Sequence, residues 1–192
     1  IIAPFHGLVW HNNFDYILDK YNHWSTYEAE ESGVLIAYAS MYGGTENAAQ
    51  CLASKICEKG VTNVKLCDVS TTHVSYLIAD TFRLSHLVLA SVTYNLGVYP
   101  VMQAFLDEMK MLNMQNRTVA IIENGSWAVK SGDLMQKFVE DEMKNMTVLN
   151  ERLSVASNLH PDKLSELEAM ADAIVESVRE REKALASKKS KK

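Results

Sequence analysis

Gly33-Val34-Leu35-Ile36-Ala37-Tyr38-Ala39-Ser40-Met41-Tyr42-Gly43-Gly44-Thr45-Glu46-Asn47 is the stretch that decides the fold. Val34–Ala39 is an unbroken apolar run, as a strand buried on both faces requires. It empties into a short loop of hydroxyls and glycines, Ser40–Thr45, which opens directly onto a helical pattern. The glycines let backbone approach a ligand closely, and the N–H groups gather at the positive end of the helix. Ser40, Tyr42 and Thr45 add hydroxyl donors. Such a nest suits a phosphate. It lacks the lysine of G-x-x-x-x-G-K-[ST] and the spacing of G-x-G-x-x-G, which leaves a terminal phosphate monoester, as in FMN, as the better guest.

Outward from this stretch, strands and helices alternate. Apolar β-rich runs recur at Val64–Val69, Leu87–Val92, Val119–Ile122 and around Val148–Val155. Helical patterns lie between them. Ala49, Leu52, Ala53, Ile56 and Cys57 share one face of the first, and Val74–Phe82 forms a weaker second. Val101, Phe105, Leu106, Met109 and Leu112 share a face of the third, and Leu134, Met135, Phe138 and Val139 one of the fourth. The last runs from Leu164 to Val178 after a helix-starting Pro161. Five strands with helical crossovers imply an α/β, doubly wound parallel sheet, whose ligands bind beyond the carboxyl ends of the strands.

That rule brings three loops together. The first is Ser40, Met41, Tyr42, Gly43, Gly44 and Thr45. The second follows the third strand and contains Thr93, Tyr94, Asn95, Leu96 and Gly97. The third follows the fourth strand, with Asn124, Gly125, Ser126, Trp127 and Ala128. Tyr94 and Trp127 can contact a flat ring, while Asn95, Gly97, Asn124 and Gly125 offer polar groups to its edge. An isolated loop aromatic is usually a surface residue; three such loops on one rim argue for a site. Glu123 reads as a carboxylate that orders its loop, and no residue qualifies as a catalytic acid, base or nucleophile.

Composition bounds the alternatives. The chain has 192 residues, 47% of them hydrophobic, enough for one ordinary domain and some extra length. Its net charge is −5, and four lysines fall within Ser187–Lys192, leaving about −9 on the rest. An acidic body argues against nucleic acid as a partner, and no apolar run is long enough for a membrane span. Cys51, Cys57 and Cys67 lack C-x-x-C spacing and read as reduced thiols of a cytoplasmic protein. Cys57 is expected to pack on the helix face, Cys67 in its strand, and Cys51 to be the more accessible.

The motifs S-M-Y-G-G-T-E, S-V-T-Y-N-L-G-V-Y-P and E-N-G-S-W-A resemble the three FMN loops in the flavodoxin domain of flavodiiron proteins. Those A-type flavoproteins reduce oxygen or nitric oxide. The resemblance runs from Gly33 to about Arg181 and implies a flavodoxin-like sheet with strand order 2-1-3-4-5. It implies phosphate contacts at Ser40–Thr45, ring and ribityl contacts at Thr93–Gly97, and further ring contacts at Asn124–Ala128. Val92 departs from a common proline, and Ala128-Val129 from a glycine-rich continuation.

Three segments follow: residues 1–32 as the remnant and linker of a preceding metallo-β-lactamase-like domain, 33–182 as the FMN domain, and 183–192 as a basic disordered tail. Within the first, Ile1–Pro4 reads as a short strand, Phe14–Trp24 as helix-like and Ser25–Ser32 as linker. In the resemblance, His6 matches the last iron ligand of a di-iron site belonging only to the intact parent. The implied function is electron transfer from a redox partner, such as a rubredoxin or a flavin reductase, to that di-iron centre, with homo-oligomerisation left open. Two alternatives stand beside it: an NAD(P)H-dependent flavin or quinone reductase of the same fold, and a cofactor-free interaction domain.

Overall fold

The computed structural model describes residues 1–189. Strand β1 (Glu31–Ala39) is buried from Gly33 onward and pairs in parallel with β2 (Val64–Asp68) and β3 (Leu84–Tyr94). Beyond β3 lies β5 (Thr118–Gly125), also parallel, followed by the short strands β6 (Thr147–Val148) and β7 (Leu153–Ala156). The parallel order is therefore 2-1-3-4-5, with the fifth place shared by β6 and β7. Between the two short strands, Arg152 reaches the neighbouring helix and pairs with Asp133 and Gln136. A two-residue strand, β4 (Gly97–Val98), folds back antiparallel on the end of β3.

Alternation along β1 builds two cores, because successive side chains leave opposite faces of a strand. Val34, Ile36 and Tyr38 face one layer, where α2 (Gly44–Glu58) packs beside α6 (Leu164–Lys189) through Ala48, Leu52, Ile56, Met170 and Ile174. Leu35, Ala37 and Ala39 face the other. There α3 (Val74–Arg83), α4 (Pro100–Met111) and α5 (Ser131–Glu142) contribute Leu77, Met102, Phe105, Met109, Met135 and Val139. Helices on both faces explain why the central strands read as continuous apolar runs.

The details differ from the periodicity in three places. Cys57 is exposed and Cys51 partly buried against the first core, because α2 turns Ala48 and Ala49 inward and carries Cys57 off its buried side; Cys67 is buried as expected. The region expected to be a disordered tail is helical through Lys189, since every residue of Arg181–Lys189 except Ser187 is a strong helix former and extends α6. Residues 190–192 of that expected tail lie outside the described residues. At the other end, the expected strand Ile1–Pro4 reduces to one antiparallel bridge between Ile2 and Trp10, followed by α1 (Phe14–Thr26).

Helix α1 has no buried residue, yet the segment after it is firmly held. Arg117, 2% exposed, donates to the backbone carbonyls of Tyr27, Thr81, Phe82, Gln115 and Asn116. Burial, with the like charge of Arg181, pushes this guanidinium down to about 10, so it keeps its charge at neutral pH. Arg181 donates to Ala29 O and Ser32 Oγ, fixing the linker to α6.

Candidate functional site

The end of β1 and the start of α2 set the first wall of the site. Gly43 holds φ +86°, a left-handed conformation that disfavours any side chain. Its N–H donates to Ser40 Oγ at 3.1 Å, closing the turn. The first helical bond runs from Asn47 N–H to Gly43 O at 2.8 Å, and no side chain caps the helix. The backbone donors that precede Asn47 in α2 thus have no acceptor within the helix. A Cβ on Gly44 would lie 1.8 Å from Ser157 O, so the loop after β7 sits directly against this turn.

Thr45 is 1% exposed and lines the same cleft. Its hydroxyl accepts from Asn124 Nδ2 at 3.1 Å, and among the described residues it donates to no group. A buried hydroxyl in that state has a proton ready for an acceptor in the cleft. Asn124 also donates to Ser157 O at 3.0 Å and accepts from Ser157 N–H at 2.9 Å.

The second and third loops are tied to each other. Asn95 and Leu96, the central residues of the hairpin from β3 to β4, both have positive φ, 48° and 61°. Thr93 Oγ1 accepts from the N–H groups of Lys130 and Ser131 at 2.9 and 3.1 Å, so the second loop caps α5. Ser131 Oγ donates back to Ser91 O at 2.8 Å. Glu123, 7% exposed, accepts from Gly132 N–H at 3.0 Å and lies 3.7 Å from Arg152. A carboxylate at the start of a helix is favourably placed, which matches the loop-ordering role read for Glu123.

Together these loops enclose a cleft of about 320 Å³, within the range of small-molecule sites. Of the residues singled out in the sequence, Ser40, Met41, Tyr42, Gly44, Thr45, Thr93, Tyr94, Asn95, Asn124, Gly125 and Ser126 line it. Gly43, Leu96, Gly97, Trp127 and Ala128 do not line it; Trp127 is fully exposed. Tyr94 is 41% exposed and leans against Tyr99, their rings 5.8 Å apart. Val92, noted in the sequence for standing where a proline is common, completes the lining with Ser157 and Asn158, and these last two were absent from the sequence reading. The clue to the last two was available: Val155 ends the fifth apolar run, and the loop after it must share the rim with the other three. Among the described residues no Asp, Glu, His, Lys or Arg lines the cleft, so it offers uncharged hydrogen-bonding groups and a helix end.

His6 is exposed in the loop bridged by Ile2 and Trp10. Among the described residues no three His, Cys, Asp or Glu side chains gather to hold a metal ion. None of the described helices is long and apolar enough to cross a membrane.

Comparison with known proteins agrees with this geometry. The flavodoxin family model matches residues 36–149. The anaerobic nitric oxide reductase flavorubredoxin of Klebsiella pneumoniae is 24% identical over 84% of this chain and 33% of its own length. Among solved structures, the rubredoxin oxygen:oxidoreductase of Desulfovibrio gigas superposes with TM-score 0.77 at 22% identity, over 86% of this chain and 40% of that one. The flavodiiron protein of Giardia intestinalis gives 0.78 at 18% identity, over 90% and 42%. At these identities the structural likeness establishes the fold. The chain spans about a third of the length of the curated relatives it matches. With the family match covering more than half of the chain, and the sheet order and rim loops in agreement, the chain belongs to the flavodoxin family.

Proposed function

We propose that this chain is the FMN-binding electron-transfer unit of a flavodiiron oxygen or nitric oxide reductase. The observation that carries the cofactor is the uncapped start of α2, set beside a buried Thr45 hydroxyl with a proton to donate. Those groups fit a phosphate monoester. The uncharged lining of Tyr94, Asn95, Gly125 and Ser126 fits a flat ring with a polar edge.

FMN, when bound, accepts electrons from a donor and releases them singly to an acceptor. The chain's own residues bind and orient it. Ser40 shapes the turn, Gly44 and Thr45 present donors to the phosphate, and Thr93 fixes the second loop against α5 so that the ring side keeps its form. With an uncharged lining among the described residues, the protein supplies position and field. Its acidic body should hold the cofactor's potential low.

The same reading places the acceptor, a di-iron centre, in a part of the parent protein outside this chain, with His6 as its last ligand. The donor would be a rubredoxin, a flavin reductase or a similar redox protein in the cytoplasm. The flavorubredoxin of Klebsiella and the rubredoxin oxygen:oxidoreductase of Desulfovibrio, by their names, support a partner of this kind.

The test is the visible absorption spectrum of the purified chain after incubation with FMN and desalting. Wild type should retain the two flavin bands, and Thr45→Val combined with Ser40→Ala should lose most of them. A colourless wild type overturns the reading in favour of a cofactor-free domain. Steady-state NAD(P)H oxidation by the isolated, FMN-loaded chain would favour a self-sufficient reductase instead.

A further inference from the structure

The Asn124 side chain stands where three loops meet, and every polar atom of its amide that the structure places is committed to protein. Nδ2 donates to Thr45 Oγ1 and to Ser157 O, while Oδ1 accepts from Ser157 N–H. Asn124 is 3% exposed and its bond to Thr45 is buried, while its two bonds to the exposed Ser157 are partly buried. Ser157 holds φ +68°, a strained conformation for a residue with a side chain, and the paired bonds to Asn124 hold it there. The consequence reaches α2. Because Thr45 Oγ1 accepts from Asn124, its single proton points to another acceptor. Because Ser157 O is fixed, it occupies the space that any side chain at position 44 would need, 1.8 Å from such a Cβ.

We propose that Asn124 is a positioning residue that builds the phosphate end of the cleft, aiming the Thr45 hydroxyl inward and setting the Ser157–Asn158 loop as a fourth wall. The inference rests on the FMN reading and adds a specific division of labour to it. Asn124 acts through Thr45 and Ser157 on the phosphate, and the contacts that hold the ring do not depend on it. The role of Ser157 is carried by its backbone N–H and C=O, not by its hydroxyl.

The experiment compares FMN with riboflavin, the same ring without the phosphate, by fluorescence titration of the full chain. Wild type should prefer FMN. Asn124→Ala and the isosteric Asn124→Asp should reduce that preference by about tenfold, with riboflavin affinity kept within about threefold. Ser157→Pro, which removes the N–H and cannot reach a positive φ, should lose the FMN preference as the Asn124 variants do. A general weakening of the fold would lower both affinities in parallel and leave their ratio unchanged; that result overturns the proposal. So does a wild type that binds both ligands equally. A wild type that binds neither overturns the FMN reading itself.

Discussion

His86, in β3, is 3% exposed and lies between two hydroxyls. Ser85 Oγ donates to Gly33 O, which leaves His86 Nδ1–H to donate to Ser85 at 2.8 Å and Nε2 to accept from Ser177 Oγ at 3.0 Å. Burial, and then the nearby charge of Arg181, push its pKa down from 6.5 to about 4. The folded state therefore binds fewer protons than the unfolded state between those values, and stability falls as pH is lowered through that window. The loss at pH 4 should amount to about 3 kcal/mol. Urea unfolding of wild type between pH 7 and 4 should show this decline, and His86→Gln should flatten it. An equally steep profile in the variant would assign the decline to other groups. Roles of this kind were hidden in the sequence. A polar side chain such as Asn124 or Thr93 announces that it will bond, but the partner is chosen by which loops the fold brings within its short reach.

The hairpin between β3 and β4 is the element where local preference and tertiary structure disagree. A two-residue turn with positive φ at both centres ordinarily uses Asn-Gly. Here Asn95 fits, but Leu96 takes φ +61° with its side chain 71% exposed, so packing does not offset the strain. Leu96→Gly should therefore stabilise the cofactor-free chain by about 1 kcal/mol and raise its Tm by about 2–4 °C. A lower Tm would mean that Leu96 makes contacts that offset its conformation. Because no Gly marked the turn, the sequence revealed a loop after the third apolar run but not the β4 hairpin. The other elements were legible for a physical reason. A strand covered by helices on both faces must be apolar throughout, as Val34–Ala39 and Val119–Ile122 are, and a helix on such a sheet must repeat every three to four residues. The fifth strand was harder to place because it is split into two short pieces, Thr147–Val148 and Leu153–Ala156, neither long enough to show a strand period of its own.

At the scale of the whole molecule, the position of the linker separates two kinds of attachment. Residues 1–25 contribute no buried side chain, and Phe5, Leu8, Tyr16 and Tyr21 are largely exposed. Tyr27–Ser32 behaves differently. Arg117 takes the Tyr27 carbonyl, Asn116 those of Thr26 and Tyr27, and Arg181 binds Ala29 and Ser32. Ala29 itself is buried. The segment expected to be a linker through residue 32 is thus bonded to the sheet from Thr26 onward, and β1 begins at Glu31. A chain shortened by residues 1–25 keeps every acceptor of Arg117 and loses the partly buried Lys20–Glu30 ion pair, the exposed Trp24–Glu30 bond and the Tyr27 and Glu28 N–H bonds to α1 carbonyls. Its Tm should stay within about 3 °C of the full chain, and its FMN affinity should be unchanged, because the cleft lies at the opposite ends of the strands. Calorimetry and flavin titration on the two forms would measure both. A fall of about 10 °C or more would show that α1, despite its exposure, is part of the cooperative unit, and that the boundary lies before Phe14 instead of at Thr26.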